Sequence, residues 1–231
     1  MSMLQPLTTD LFQGAAASFA AELSATPLPE LYGATDGKVV GTRVEALFKQ
    51  YLQQRFDLQV GNAANGLDFP SINTDLKVTS LRQPQSSCPF RDATQKIFGL
   101  GYNLLVIVYV KTDDDAHRTA YLDIRHVIYI DKSRTGDFTL TKEIRGIIAQ
   151  ADDDPAGCET AIEDIDALLE DKSLPLDEVS RRELAERLVT EVPEQGVLTI
   201  SNALQWRLQY SRAISTAEAG TSFPGVVDLR A

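Results

Sequence analysis

Histidine, cysteine and tryptophan are scarce in this chain, with two, two and one among its 231 residues. Cys88 and Cys158 stand far apart and form no CxxC pair, and His117 and His126 add too few ligands for a zinc cluster. The cysteines read as reduced intracellular residues rather than a structural disulfide. No run of ~18 apolar residues offers a membrane span. No lysine or arginine precedes Lys38, so the basic flank of a signal peptide is missing, and the Ala-rich "GAAASFAAEL" reads as a helix. A cytoplasmic protein is the expectation. GxSxG, GxxxxGKS/T and GxGxxG are also missing, which removes support for serine hydrolase, nucleotide-triphosphatase and dinucleotide oxidoreductase readings.

What is present is ordinary in bulk and uneven in placement. An apolar fraction of 43% and a charged fraction of 24% suit a globular domain. The net charge of −11 argues at first sight against a polyanion partner. Residues 1–135, however, hold 13 Lys+Arg against 14 Asp+Glu, and the remaining 9 basic and 19 acidic residues fall in 136–231. The first part is nearly neutral, and a bound divalent cation would tip it positive.

Pattern along the chain divides it in three. Residues 1–40 read as an N-terminal extension, a short helix followed by the turn-rich "ATPLPELYGATDGK". Residues 41–135 open with a helix, "GTRVEALFKQYLQQRFD", whose Val44, Leu47, Phe48, Tyr51, Leu52 and Phe56 repeat at helical spacing. Thr42 and Glu45 have the spacing of a capping box. From Ile72 the residues alternate, with Ile72, Thr74, Leu76 and Val78 on one face of a strand and Asn73, Asp75, Lys77 and Thr79 on the other. "ATQKIFGLG" suggests a short helix, "YNLLVIVYVK" a doubly buried strand, "DDDAH" a turn and "TAYLDIRHVIYID" another strand. Residues 136–231 are mainly helical and acidic, and "VLTISNALQWRLQYSRAIS" begins as a strand or enters a helix directly. The order predicts an α/β protein, a mixed central β-sheet flanked by helices, with a helical C-terminal part either separate or packed on the same domain.

Within "GLDFPSINTDLKVTS" three charges interrupt an otherwise β-prone stretch. Positions i and i+2 of a strand share a side, so Asp75 and Lys77 face one space. If the preceding segment brings Asp68 alongside, two carboxylates can share a Mg²⁺ ion, and the lysine can orient an attacking water and neutralise a phosphate. Acid-x-Lys by itself is cheap, since it also occurs at Asp36-Gly37-Lys38 and Glu170-Asp171-Lys172. The first lies in a Gly-flanked turn. The third ends a predicted helix, where i and i+2 diverge by about 200°. Only Asp75-Leu76-Lys77 sits on a strand.

This segment resembles the active-site motif of the PD-(D/E)xK nuclease superfamily, met most often in type II restriction endonucleases. Asp68 matches the first acid, Asp75 the second and Lys77 the lysine. The family's proline normally precedes the first acid; here Leu67 does, and Pro70 follows two residues later. Glu45 on the preceding helix matches a glutamate many members carry there, and "ATQKIFGLGYNLLVIVYVK" resembles the following core elements. The resemblance covers residues 41–132. It implies a restriction-endonuclease-like core and a Mg²⁺-dependent, sequence-specific endonuclease acting on double-stranded DNA. The products would carry 5′-phosphate and 3′-hydroxyl ends. It also implies Asp68, Asp75, Lys77 and Glu45 as catalytic residues, Asp68 and Asp75 as metal ligands, and a homodimer matching a palindromic site.

"LRQPQSS" follows the lysine strand, placing Arg82, Gln83, Gln85, Ser86 and Ser87 near bound DNA, where Arg reads guanine and Gln reads adenine. Lys96, Lys111, Arg125 and Lys132 are candidate phosphate contacts. Trp206 and Tyr210 lie at i, i+4 in "QWRLQYSR" with Arg207 and Arg212, as core residues or as a base-stacking stripe. Plainer readings stand beside each of these. Asp75 and Lys77 also fit a solvent-facing charge pair, Asp68 a turn-initiating aspartate, Glu45 the helix cap, and the 81–87 stretch a surface loop. The rival functions are a structure-specific repair or recombination nuclease with the same core, and a non-enzymatic α/β interaction protein.

Overall fold

The structure is a computed structural model and describes residues 4–58, 66–88, 92–152, 154–201, 207–219 and 223–230. In chain order the elements are β1 (Gln5–Pro6), α1 (Thr9–Ser24), α2 (Gly37–Gln53), β2 (Phe56–Asp57), β3 (Thr74–Ser80), β4 (Gln85–Ser87), α3 (Gln95–Phe98), β5 (Asn103–Asp114), β6 (Thr119–Ile130), α4 (Phe138–Gln150), α5 (Pro155–Asp171), α6 (Glu178–Thr190), β7 (Thr199–Ser201), β8 (Arg207–Gln209), α7 (Ser211–Glu218) and β9 (Val226–Asp228). They form two compact units, one of Met1–Ser86, Tyr102–Asp131 and Ala213–Ala231, the other of Ser87–Gly101 and Lys132–Arg212.

The first unit is built on a sheet of order β3-β5-β6-β9. β3 and β5 run parallel, and β5/β6 and β6/β9 antiparallel, so the sheet is mixed as the sequence predicts. The unbroken apolar run places Leu104 to Val108 at zero exposure in the middle of the sheet. The described residues of 1–40, read above as an extension, belong to this unit and reach into its core from Leu7 to Val40. Phe12 and Phe19 of α1 meet Phe48 of α2 with ring centroids 5.5 and 4.9 Å apart. Phe69, just ahead of β3, completes the cluster at 4.9 Å from Phe12 and 5.9 Å from Phe48. Each such ring pair contributes about 0.5–1.5 kcal/mol beyond the area it buries.

α2 begins one turn before the sequence reading placed it. Asp36 is its N-cap, with a side-chain oxygen accepting from the Lys38 N–H at 2.8 Å. Thr42 and Glu45 therefore lie inside the helix, and the capping box is overturned. Val40, Val44, Phe48 and Leu52 form the buried stripe.

The second unit gathers α4, α5 and α6 around Leu140, Ile144, Ile165, Leu169 and Leu188, together with Ile97 of α3. Asp137, Asp154 and Asp177 cap the three helices, each accepting an N–H three residues ahead. Much of the acidity of this half is thus solvated helix surface plus caps. β7 and β8 pair antiparallel, Thr199 opposite Gln209, so "VLTISNALQWRLQYSRAIS" resolves into strand, strand and helix among its described residues. No described helix is long and apolar enough to cross a membrane.

Candidate active site

A tight reversal ahead of β3 assembles the site. Pro70 opens a 3-10 turn, Pro70–Ile72, for which its fixed φ and missing N–H suit it. Asn73 closes the turn at φ 49°, a left-handed conformation that Asn tolerates. The chain is back on itself at Phe69 and Thr74, which exchange two backbone hydrogen bonds of 3.0 and 3.1 Å as an antiparallel bridge. Continuing that register by one residue sets Asp68 opposite Asp75, at the separation of directly facing cross-strand side chains, about 4.5–5.5 Å between Cβ atoms. Asp68 therefore precedes a single bridge rather than sitting on a long hairpin strand, and Ile72 and Asn73 lie outside the alternation expected from residue 72.

The two carboxyl groups hydrogen-bond each other. Asp68 Oδ2 also accepts the Leu76 N–H at 3.0 Å, and Oδ1 accepts Lys49 Nζ at 2.7 Å. Lys77 Nζ lies 2.7 Å from Asp75 Oδ2. Asp75 is only 5% exposed, so the expected wet face of β3 is covered and the plain reading of a solvent-facing pair does not hold for it. Burial pushes the Asp75 carboxyl up to about 6, against the pull of Lys77 and helped by the neighbouring Asp68. Burial also works to raise Asp68. Its hydrogen bonds from Asp75, Lys49 and the Leu76 amide outweigh that and hold its carboxyl below the usual range. Below about pH 6 the pair therefore holds one proton, carried on Asp75 and donated to Asp68.

Packing explains why Asp68 is held so firmly. Phe69, fully buried between Phe12 and Phe48, fixes its N-terminal neighbour Asp68. Phe48 likewise fixes Lys49, the next residue of α2. The ring contact between Phe48 and Phe69 therefore brings the adjoining charges together. Glu45, one helical turn before Lys49, binds its Nζ through Oε1 at 2.6 Å. Burial lowers the Lys49 ammonium, but its hydrogen bonds to Asp68 and Glu45 prevail and raise it. The unit accordingly carries a line of charged groups, Glu45–Lys49–Asp68–Asp75–Lys77, broken by one acid–acid contact. Lys49 was missed in the sequence; the signal available was its i, i+4 spacing from Glu45 on the polar flank of an otherwise apolar stripe.

The recognition candidates scatter. Arg82 and Gln83 are exposed on the turn that leaves β3. That turn is pinned by the Thr79 hydroxyl, which accepts the Gln85 N–H at 3.0 Å and donates toward the Gln83 and Gln85 carbonyls at 3.1 and 3.2 Å. Gln85 and Ser86 follow half-buried on β4, while exposed Ser87 falls in the second unit. Lys96, expected on a DNA-facing surface, is 7% exposed inside the second unit, where burial lowers its pKa against the attraction of Asp137. An ammonium in that place is not a surface phosphate contact. Lys111 pairs with Asp113, and Arg125 with Asp123 at 3.2 Å. Tyr210 is fully buried and Arg212 lies 4.0 Å over the Phe138 ring, so both serve packing; Trp206 lies outside the described residues.

Among the described residues no group of three or more His, Cys, Asp or Glu side chains is placed to hold a metal ion. The candidate ligand set is the Asp68–Asp75 pair alone. The family model "Type II restriction enzyme NspV" matches residues 6–227 of the chain. A relative from Nostoc sp. (strain ATCC 29411 / PCC 7524), "Type II restriction enzyme NspV", is 49% identical over 211 residues, 91% of this chain and 92% of its own. No solved structure matches.

Proposed function

The chain belongs to the NspV family of type II restriction enzymes, and on that premise we propose that it is a Mg²⁺-dependent, sequence-specific endonuclease of double-stranded DNA with the Asp68–Asp75–Lys77 cluster as its catalytic centre. The observation that carries the assignment is the contact between two carboxyl groups, one of them buried. Two carboxylates so placed repel each other once both ionise, a cation relieves that repulsion, and a hard, all-oxygen pair suits Mg²⁺, which takes few protein ligands and keeps several waters. Asp68 and Asp75 would hold the ion, with remaining positions left to water and a phosphate oxygen. Bound there, it would lower the pKa of a coordinated water and neutralise charge growing on the phosphate.

The chain's own groups do the rest. Lys77, tied to Asp75 on the same side of β3, presents its ammonium beside the pair, where it orients the attacking water and donates to a non-bridging phosphate oxygen. The Leu76 amide and Lys49 hold Asp68 in its rotamer before any ligand arrives. In-line attack of water on phosphorus, with the 3′-oxygen leaving, yields 5′-phosphate and 3′-hydroxyl ends. Arg82, Gln83, Gln85 and Ser86 leave the catalytic strand on the next turn and are the residues we assign to base reading; we do not carry Lys96 forward. Family membership favours this reading over the repair nuclease and the non-enzymatic protein. A homodimer in the cytoplasm, cutting a symmetric site, completes the proposal.

Digestion of a DNA of known sequence with Mg²⁺, followed by sequencing of the ends, tests it. Discrete fragments sharing one terminal sequence are expected from the wild type and none from Lys77→Ala. Cleavage that survives loss of both Lys77 and Asp75 removes the active-site assignment.

A further inference from the structure

An ordinary surface ion pair joins one cation to one anion. Lys49 Nζ does more, standing 2.6 Å from Glu45 Oε1 and 2.7 Å from Asp68 Oδ1. A single helix-borne ammonium is held between two carboxylates, one of which is half of the candidate ligand pair. Glu45 reaches Asp68 only through this lysine, and the two acids do not join Asp75 as a convergent triple. A second divalent ion held by Glu45 and Asp68 would need the place that the Lys49 ammonium occupies.

The charges favour keeping it out. With Glu45, Asp68 and Asp75 ionised, and Lys49 and Lys77 charged, the cluster has a net of minus one. One divalent ion takes it to plus one, matched to the single negative charge of a phosphodiester. A second ion with Lys49 in place would take it to plus three, with two like charges against the same aspartate in a partly buried site.

We propose that Lys49 is a positioning residue acting as a built-in cation: it holds Glu45 and Asp68 one ammonium apart and limits the centre to a single divalent ion. The proposal rests on the reading of Asp68 and Asp75 as metal ligands. In it, Glu45 is neither a helix cap nor a ligand but the group that keeps Lys49 in place, while Lys49 aims Asp68 at Asp75.

Mn²⁺ binding to the full chain without DNA, counted by equilibrium dialysis and followed by electron paramagnetic resonance, tests this independently of cleavage. The wild type is expected to bind one Mn²⁺ at this site, lost in Asp75→Asn. Lys49→Met, of similar length and no charge, should bind two, with the spin-coupled spectrum of neighbouring ions. Lys49→Arg should return the count to one, as should Lys49→Met combined with Glu45→Gln. If Lys49→Met fails to fold by circular dichroism, Lys49→Gln replaces it with the same expected count of two. One ion or none in the folded, uncharged Lys49 variant overturns this proposal while leaving the metal reading intact. No Mn²⁺ in the wild type, or binding untouched by Asp75→Asn, overturns the metal reading and this proposal with it.

Discussion

On β3, Asp75 and Lys77 form an ion pair at i and i+2; on the neighbouring β5, Lys111 and Asp113 do the same. The residue types, the spacing and the sheet are shared. The surroundings are not. Lys111 and Asp113 lie at the turn end of the β5–β6 hairpin with side chains 14% and 33% exposed, and Asp113 also accepts the Gly33 N–H at 3.3 Å. On β3 the acid is the buried member, Asp75 at 7% beside Lys77 at 20%, and it faces a second carboxylate delivered by the Phe69–Thr74 bridge. An i, i+2 charge pair is therefore no mark of chemistry by itself. A buried acid that must share its proton with another acid is one, because water cannot relieve the repulsion and a cation can.

The largest expected difference between the two pairs is in turnover. Asp75→Asn or Lys77→Ala should slow single-turnover DNA cleavage by about 10³-fold or more, the scale of losing a charge aimed at the transition state. Lys111→Ala and Asp113→Asn should leave the rate nearly unchanged. Equal losses at the two pairs would mean that burial is not what separates them.

Next comes the packing that makes the β3 pair possible. Phe69→Ala should cost about 3–5 kcal/mol of stability in urea denaturation, since it empties a fully buried position. It should also cut cleavage in whatever fraction stays folded, by releasing Asp68. A fully active, folded Phe69→Ala protein would show that Asp68 is held by something other than the aromatic cluster.

The third difference is in pH. The Asp75 carboxyl, normally near 3.8, sits at about 6 in the fold, so between those values the folded chain holds more protons than the unfolded one. Its contribution to stability is complete below pH ~4 and is lost as pH rises to ~6, a loss of order 1–3 kcal/mol for the metal-free protein. Asp68 runs the other way, stabilising above its ordinary range and losing that as pH falls. Asp75→Asn should remove the loss between pH 4 and 6 and leave the EDTA-treated protein more stable than wild type at pH 7. A variant no more stable there would mean the carboxyl carries no burden in the fold. The smallest effect should be that of Lys111→Ala on stability, about 0.5 kcal/mol or less, as for ion pairs at the surface whose acid is open to water.

These contrasts also mark how far the amino-acid sequence could be read. β5 and β6 were legible because long β-branched and aromatic runs have few alternatives. The pairing of Asp75 with Lys77 followed from strand alternation. The contact of Asp68 with Asp75 did not, because it depends on a 3-10 turn and one bridge, features without a period. Pro70, displaced from its family position, opens that turn. The start of α2 was misread because Gly37 and Gly41 suggested a break, while Asp36, dismissed within a chance acid-x-Lys triplet, is the cap. Lys96 reads locally as a surface charge; its burial depends on long-range packing near Asp137, which no local window contains.

β3 ends the order of its sheet among the described residues, so one side of its backbone has no neighbouring strand. Such edges recruit strands from other molecules unless they are blunted. Thr74 is covered there by Phe69, and the next edge-facing amide, Leu76, is covered not by backbone but by the Asp68 carboxylate. The residues that carry the chemistry therefore also guard the sheet against self-association. Substitutions at Asp68 that remove its oxygens should leave the Leu76 amide uncovered on that edge, a cost separate from lost catalysis.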